Sequence, residues 1–301
     1  MSAITLAEYS KTVQDPLRRG VIETLYEDEP IMGLIPFKSI KGLAYPYNQE
    51  EALPGVSFRN INESYTSTYG VVNRKVETLK PFGGQSETDR ALIEAYGQAE
   101  RSSRDRMFTK AMALKFVQTM MYGNSPAARA GAAFTDSKGW DGIQARVTAG
   151  QTIDALGSTG SDGSSVFAIR FGDGYLQGLQ TMAGVAVEDL GMKNPPAFMT
   201  FIEHIAGVGI FHGRAVGWIK NIRASGQVLT VTMMNQLRDL IVGSPDAYIM
   251  SKRSRQQLWT SAAGLGVAMG ITIDQLGKPV PAWDGKPIYV SDAVIDTETN
   301  G

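Results

Sequence analysis

Residues Asn48 to Tyr65 read NQEEALPGVSFRNINESY, and their large apolar members, Leu53, Val56, Phe58 and Ile61, are scattered among amides, charges and a Pro54-Gly55 turn. A strand that buries one face alternates apolar and polar residues, and a core helix repeats apolar ones every three to four positions. This segment does neither, so no face of it seals a core. Something else has to cover it.

Outward from this stretch, the pattern between Ile35 and Gly84 stays free of helical periodicity. GLAYPYN, from Gly42, precedes the turn-rich middle. TYGVVNRKVETL, from Thr68, follows it with Val72, Arg74, Val76 and Thr78 in alternation. These flanks predict a long hairpin with a loose tip. An isolated two-stranded hairpin is marginal in water, so a surface outside the hairpin must support it.

Upstream, DPLRRGVIETLYEDE predicts a helix with Asp15 as N-cap, Pro16 at its first position and Leu17, Val21 and Leu25 four apart, ending before Pro30. Its closing carboxylates, Glu27, Asp28 and Glu29, lack any further ligand pattern and read as a solvated helix end rather than a cation site. Downstream, SETD at Ser86 to Asp89 predicts a capping box. The helix it opens carries a stripe of Leu92, Tyr96, Ala99, Ser103, Met107, Ala111, Leu114 and Met121 and stops at Gly123. At ~1.5 Å per residue it would span roughly 50 to 55 Å. Its middle, GQAERSSRDR, is polar all round and faces solvent. The run Arg101 to Arg106 reads as a solvated face balanced by Glu100 and Asp105, with weak nucleic-acid contact as the alternative.

SPAARAGAAFTDSKGWDGI, from Ser125, predicts a linker anchored by Trp140 and Ile143, after which a second domain begins. That domain offers SSVFAIRF and YLQGLQ as strands, an irregular apolar stretch from Phe198 to Ile222, a helix in VTMMNQLRDLIVG, a buried strand in DAYIMS, a capped helix in SKRSRQQLWTSAAG, and a strand pair around Asp284-Gly285. No fixed-period repeat is present.

Composition narrows the function. The 301 residues are 43% apolar and 20% charged, suited to one large domain or two modest ones. Twenty-nine Lys and Arg against 30 Asp and Glu leave a net charge of -1, which argues against tight gripping of a phosphate backbone. The absence of cysteine removes disulfides, thiolate metal sites and cysteine nucleophiles, and suits assembly in a reducing compartment. The N-terminus lacks a basic start followed by an apolar run, and no run reaches 18 apolar residues. The chain therefore reads as soluble and unprocessed, with no membrane partner.

The search for chemistry nominates no enzyme. GVGIFHGRAVG, Gly207 to Gly217, is Gly-rich but lacks the strand, turn and helix that hold a dinucleotide. GSTGSDGSS lacks the Lys-Ser/Thr ending of a phosphate loop. Only His204 and His212 could serve a zinc site or a triad, and no third ligand or nucleophile elbow accompanies them. Glu50 and Glu51 sit near the hairpin tip, outside any walled pocket that would raise a carboxyl pKa. No catalytic residue, cofactor or metal is predicted.

The order of elements resembles that of a tailed-bacteriophage major capsid protein of the Hong Kong 97 fold. Trp140, Gly142 and Ile143 resemble the family's aromatic-x-Gly-aliphatic element. YIMSKRSRQQLW, with Met250, resembles its strand entering a helix, and GKPIYVSD, with Gly285 and Pro287, its late Gly-x-Pro strand. SVFAIRFGDGYLQGLQ, AVEDLG and WIKNI look like one branch of these proteins.

The resemblance implies an α+β fold. It divides the chain into an N-terminal arm and short helix at 1–34, an extended hairpin or E-loop at 35–85, a peripheral (P) domain spine helix and linker at 86–139, an axial (A) domain at 140–279, and return strands to the P domain at 280–301. It implies a virion protein that self-assembles into pentamers and hexamers of an icosahedral head enclosing double-stranded DNA by weak nonspecific contact. Implied partners are other copies of the chain, a separate scaffolding protein, a portal protein and a decoration protein. Assembly would take place in the host cytoplasm.

The family's crosslinking lysine sits on the hairpin. Lys38, Lys41, Lys75 and Lys80 lie near the base or return strand here, and no asparagine stands in the last strand pair before Asn300, so covalent crosslinking is not expected. Pro54, Gly55, Phe58, Arg59, Ile61, Glu63 and Tyr65 are expected at inter-subunit contacts, with Phe58 and Ile61 apolar and Arg59 and Glu63 polar. An encapsulin-like compartment is the alternative, and an α/β enzyme or binding module the third reading.

Overall fold

A computed structural model describes residues 4–5, 29–123, 138–157, 160–190, 196–274 and 277–299. The helix expected over 15–29 and most of the linker after Ser125 lie outside the described residues, as do Glu27 and Asp28. Glu29 is buried, and its carboxylate accepts a hydrogen bond from the Ser291 hydroxyl at 2.9 Å.

The chain enters with β1 (Ile4–Thr5), α1 (Pro30–Leu34) and β2 (Pro36–Ser39). Next come β3 (Ala44–Ala52), β4 (Val71–Thr78) and β5 (Lys80–Asp89). Two helices follow, α2 (Arg90–Tyr96) and α3 (Gln98–Tyr122), then a short α4 (Ile143–Arg146). Strands β6 (Thr152–Asp154), β7 (Ser164–Ile169), β8 (Leu176–Leu190), β9 (Ala197–Ile210) and β10 (Val216–Ile222) come next. The rest comprises α5 (Val231–Leu240), β11 (Ala247–Met250), α6 (Lys252–Gly264), β12 (Gly270–Ile273), β13 (Pro279–Trp283) and β14 (Lys286–Val290).

Three sheets result. One has the order β1-β2-β8-β9-β5, a mixed second one runs β12-β13-β14-β11-β7-β10-β6, and β3 pairs with β4 alone. All six residues of β7 are buried, because both faces of the seven-stranded sheet are covered. Phe167 and Ile169 point into a core shared with Phe116, Val117, Met120 and Tyr122 of α3. Val166 and Ala168 point the other way, into a core with Met234 and Leu237 of α5 and Leu258 of α6. Period-two alternation along one strand thus serves two helical layers. The apolar stretch that looked irregular in sequence is β9 from its second residue, a turn, and β10.

The capping box did not form at Ser86. Residues Lys80 to Asp89 pair with β9 in antiparallel register, from Lys80 opposite Ala206 to Asp89 opposite Ala197. Gly83 and Gly84 permit this. A Cβ on Gly83 would lie 2.2 Å from the Ile202 carbonyl oxygen, and one on Gly84 would lie 2.9 Å from the Phe108 ring. The helix begins four residues later at Arg90, where the Asp89 carboxylate accepts from the Ala91 amide at 2.8 Å. Gly97, with φ of 84°, interrupts it before α3. The expected single rod is therefore a 7-residue and a 25-residue helix, the longer spanning roughly 37 Å.

Over its first half the helix presents a different face from the one expected, whereas Leu114 and Met121 of the expected stripe do pack into the core. Tyr96, Ala99, Ser103, Met107 and Ala111 of the predicted stripe are exposed. The buried residues are Ile93, Thr109, Met112, Phe116 and those that follow toward Tyr122.

Candidate assembly surfaces

The ladder of β3 and β4 runs from Ala44 opposite Thr78 to Ala52 opposite Val71. Its root is held by polar and aromatic contacts. The Tyr47 hydroxyl lies 3.0 Å from Glu77 Oε1 and 3.0 Å from the Ile210 carbonyl. Arg146 Nη2 meets Glu77 Oε2 at 2.9 Å, and its Nη1 donates to the Val208 carbonyl at 2.8 Å. The Phe211 ring stacks edge-on against Tyr47 and Tyr45. Burial, reinforced by the Glu77 carboxylate, pushes the Tyr47 phenol pKa well up, so it remains a neutral hydroxyl. On the adjacent strand, Lys38 reaches the Tyr45 hydroxyl at 3.0 Å.

Beyond Ala52, the bonds of the tip seen among the described residues stay within it. The Thr68 hydroxyl donates to the Gly55 carbonyl at 2.8 Å. The Asn60 amide donates to Glu63 Oε2 at 2.9 Å, which holds the Glu63 carboxyl below its usual range. Arg59 donates to the Glu63 carbonyl at 3.1 Å and lies over the Tyr65 ring. Asn62 takes the left-handed conformation that the turn needs, φ 72°. Leu53, Val56, Phe58 and Ile61 are exposed, Phe58 completely. Pro54 and Gly55 were expected to form a turn, but the chain turns at Ile61 and Asn62 instead. Arg59 and Glu63, expected at polar contacts with a neighbouring copy, also bond to each other within the tip.

Two further exposed apolar sets accompany the tip. Tyr96 and Met107 stand on the outer face of α2 and α3. Trp259, Leu265, Val267, Ile271 and Ile273 stand on α6 and the β12 region. Exposed large apolar groups that cluster are candidates for interaction sites. The sequence pattern of α2 and α3 could have revealed the first set, because its stripe was apolar but too small-sided for a core. The second set carried no signal that separated it from core residues.

The residues that carried the family resemblance are structural. Gly142 packs backbone to backbone on Gly123, the C-cap of α3: a Cβ on Gly142 would sit 2.4 Å from the Gly123 nitrogen. That contact seats Trp140 on Phe116, with centroids 5.2 Å apart, and Ile143 in the same core. Met250 ends β11 in the opposite core. Gly285, at φ 74°, and Asp284 form the turn from β13 to β14, and Pro287 pairs with Ala282. A buried carboxylate closes the arrangement: Glu298 accepts from Tyr122 at 2.8 Å and from Ser165 at 2.7 Å. These bonds fasten the C-terminal segment to α3 and β7.

The basic run of α3 is paired. Arg101 meets Asp105 at 3.8 Å and Arg104 meets Glu100 at 3.1 Å. Asp105 also accepts from Thr200 at 3.0 Å, and burial raises its carboxyl pKa. His204, packed against Phe37, is held by burial at a pKa of about 4. The glycines of Gly207 to Gly217 make room for packing: a Cβ on Gly217 would lie 2.9 Å from Leu237. No group of three potential metal ligands occurs among the described residues. No helix among them is long and apolar enough to cross a membrane.

A family model described as Major capsid protein GP7 matches residues 15–300. No curated protein matches this sequence. Among solved structures, that of bacteriophage Epsilon15 superposes with a TM-score of 0.59 at 15% identity, covering 87% of this chain and 86% of that one. The bacteriophage JBD30 capsid gives 0.44 at 10% identity, covering 73% and 78%. The holo-SrpI encapsulin complex from Synechococcus elongatus PCC 7942 gives 0.47 at 9% identity, covering 71% and 97%.

Proposed function

Because this chain belongs to the major capsid protein GP7 family, we propose that its self-supporting hairpin tip and exposed apolar surfaces are the contacts by which copies join. The protein is a structural component of an icosahedral tailed-phage head and not an enzyme, and its α+β fold is of the Hong Kong 97 type. Copies of the chain form the shell of the virion.

In finer detail, the hairpin of β3 and β4 corresponds to the E-loop, α2 and α3 to the P-domain spine, and the seven-stranded sheet with α5 and α6 to the A domain. Copies associate head to tail into pentamers and hexamers, since a surface joined to a different surface on the next copy closes into rings. Phe58 and Ile61 contact the neighbour, with Tyr65 at the rim of that contact. Arg59 and Glu63 first shape the tip and then present it. Near-neutral charge lets packaged double-stranded DNA slide rather than adhere. Scaffolding, portal and decoration proteins complete the assembly.

The observation that carries this reading is the full exposure of Phe58 on a tip whose own hydrogen bonds already fix its shape. Phe58→Asp tests it. Expressed under particle-forming conditions, the variant should melt like the wild-type subunit yet give no shells in electron micrographs. Normal shells from the variant would show that the tip is not an inter-subunit contact.

A further inference from the structure

A strap of residues 291–298 follows β14 and joins the two helices that carry exposed apolar sets. Toward α6, the Asp292 carboxylate lies 2.7 Å from Lys252 Nζ and the Asp296 carboxylate 3.5 Å from Arg253 Nε, while Arg253 Nη1 donates to the Asp296 carbonyl at 3.2 Å. Toward α3, Ala293, Val294 and Ile295 enter the core that holds Phe116 and Met120. The strap closes on Glu298, which is 1% exposed and whose main chain exchanges two hydrogen bonds with Gly163, at 3.0 and 2.9 Å. Two donor chains converge on its carboxylate. The Ile295 amide donates to the Tyr122 oxygen at 3.1 Å, and Tyr122 donates to Oε1 at 2.8 Å. The Trp218 indole donates to the Ser165 oxygen at 2.8 Å, and Ser165 donates to Oε2 at 2.7 Å. An amide and an indole nitrogen can only donate, so both hydroxyls direct their protons at Glu298, and an ionised carboxylate accepts on both of its oxygens. Burial, and after it the Glu298 charge, pushes the Tyr122 phenol pKa well up, so that hydroxyl keeps its proton.

We propose that this clasp, through the charge on Glu298, sets the angle at which α3 and α6 present their exposed apolar sets, so that the geometry of the shell depends on a buried carboxylate. The proposal rests on the reading of those sets as contacts between copies. Met107 stands on the helix that covers one face of the seven-stranded sheet, and Trp259 on a helix that covers the other. The sheet packs against both helices, but apolar packing is non-directional. The directed bonds of the clasp fix register as well as proximity. At the α6 end the Lys252–Asp292 pair is exposed and holds little, so the α3 end carries the stiffness. A closed shell repeats its angles at every copy, and a loosened strap therefore matters even where each surface stays folded.

Glu298→Gln keeps the shape and removes the charge. Its amide offers one oxygen and one NH2 group, so one of the two hydroxyls meets donor with donor. In hydrogen exchange on the unassembled subunit, the amides of Gly163, Ile295 and position 298 should exchange about 10- to 100-fold faster than in wild type, the effect of losing a bond to a charged group. The amides of α3 from Met112 to Met120 should keep their protection. Under particle-forming conditions the variant should give shells of scattered diameter or open sheets in electron micrographs, whereas Lys252→Gln should give wild-type shells. Tyr122→Phe, which keeps the charge and removes one of the two hydroxyls, should move both readings the same way by less, and it decides the matter if Glu298→Gln does not fold. Unchanged exchange in the folded variant overturns the clasp. Faster exchange with closed shells of wild-type diameter, or with no assembly of any kind, overturns its role in setting the angle. If Met107→Asp and Trp259→Asp both assemble normally, the reading of the exposed sets as contacts falls and takes the proposal with it, whatever the exchange shows.

Discussion

Replacing Gly142 by Ala adds one carbon where three backbone atoms already stand. The new Cβ would lie 2.4 Å from the Gly123 nitrogen, 2.5 Å from the Tyr122 carbonyl carbon and 2.9 Å from the Gly123 Cα. No side chain can rotate away, because the obstacles belong to the end of α3. The backbone itself is no obstacle, since Gly142 has φ of -81°. Overpacking of this kind costs about 1 to 3 kcal/mol, with backbone obstacles toward the upper end. Reduced freedom of the unfolded chain returns about 0.4 to 1 kcal/mol. A net loss of ~2 kcal/mol, at about 2 cal/mol/K of unfolding entropy per residue, lowers the melting temperature by ~3 °C for a chain of this size. Scanning calorimetry of unassembled subunit measures it. Gly264→Ala is the control: nothing lies within 4 Å of its added Cβ, so its melting temperature should stay level or rise. If the two variants melt together, the back-to-back glycine contact does not set the junction between α3 and the sheet.

Three other perturbations follow from the buried polar groups. Tyr122→Phe removes a donor to Glu298 and an acceptor for the Ile295 amide at 3.1 Å, and should cost about 2 to 3 kcal/mol, read as a lower urea midpoint at constant slope. His204 has a folded pKa of about 4 against an ordinary 6.5. Its contribution is therefore complete above ~6.5 and is lost as pH falls through about 4, with linkage setting a ceiling of ~3 kcal/mol. His204→Gln should flatten the stability profile over that window, and an unchanged slope would assign the acid sensitivity elsewhere. Tyr47→Phe should leave the melting temperature within about 2 °C of wild type but speed amide exchange along β3 and β4, because it frees the hairpin root from Glu77 and Ile210.

The hairpin, the α5 and α6 helices and the β11 strand were legible because each is written in local pattern: alternation, helical periodicity, a capping Ser251, an unbroken apolar run; the Thr230 cap of α5 was not read. The amide of Ser254 does donate to Ser251 Oγ, and that of Met233 to Thr230 Oγ1. Lys80 to Asp89 was misread because its capping box is also a local signal, and ten residues of pairing with β9 outweighed it. The Gly83-Gly84 pair was the available clue, since adjacent glycines mark close backbone approach. The first half of the helical stripe was misread for a different reason, although Leu114 and Met121 further on do reach the core. Small and polar residues such as Thr109 and Asp105 are sheltered by the neighbouring sheet, while Tyr96 and Met107 are left out. In a free monomer that ordering wastes apolar area, and it becomes intelligible once another surface lies over the outer face. The clasp on Glu298 was invisible because Tyr122, Ser165 and Trp218 come from segments that only the fold brings together.

The division between a braced root and a self-contained tip bears on how a shell can form from weak contacts. Ordering a flexible loop on binding costs about 1 to 2 kcal/mol per residue in backbone freedom alone, which for a segment as long as Asn48 to Tyr65 would exceed what a few apolar side chains return. The bonds from Thr68 to Gly55, from Asn60 to Glu63 and from Arg59 to Glu63 reduce that cost before any neighbour arrives. The ties from Tyr47 and Arg146 aim the prepared tip. On the proposed reading, each copy carries a shaped projection whose apolar groups gain when a neighbour covers them, and repeating one modest gain at every subunit of a closed shell would make the whole persistent while each single contact stays reversible.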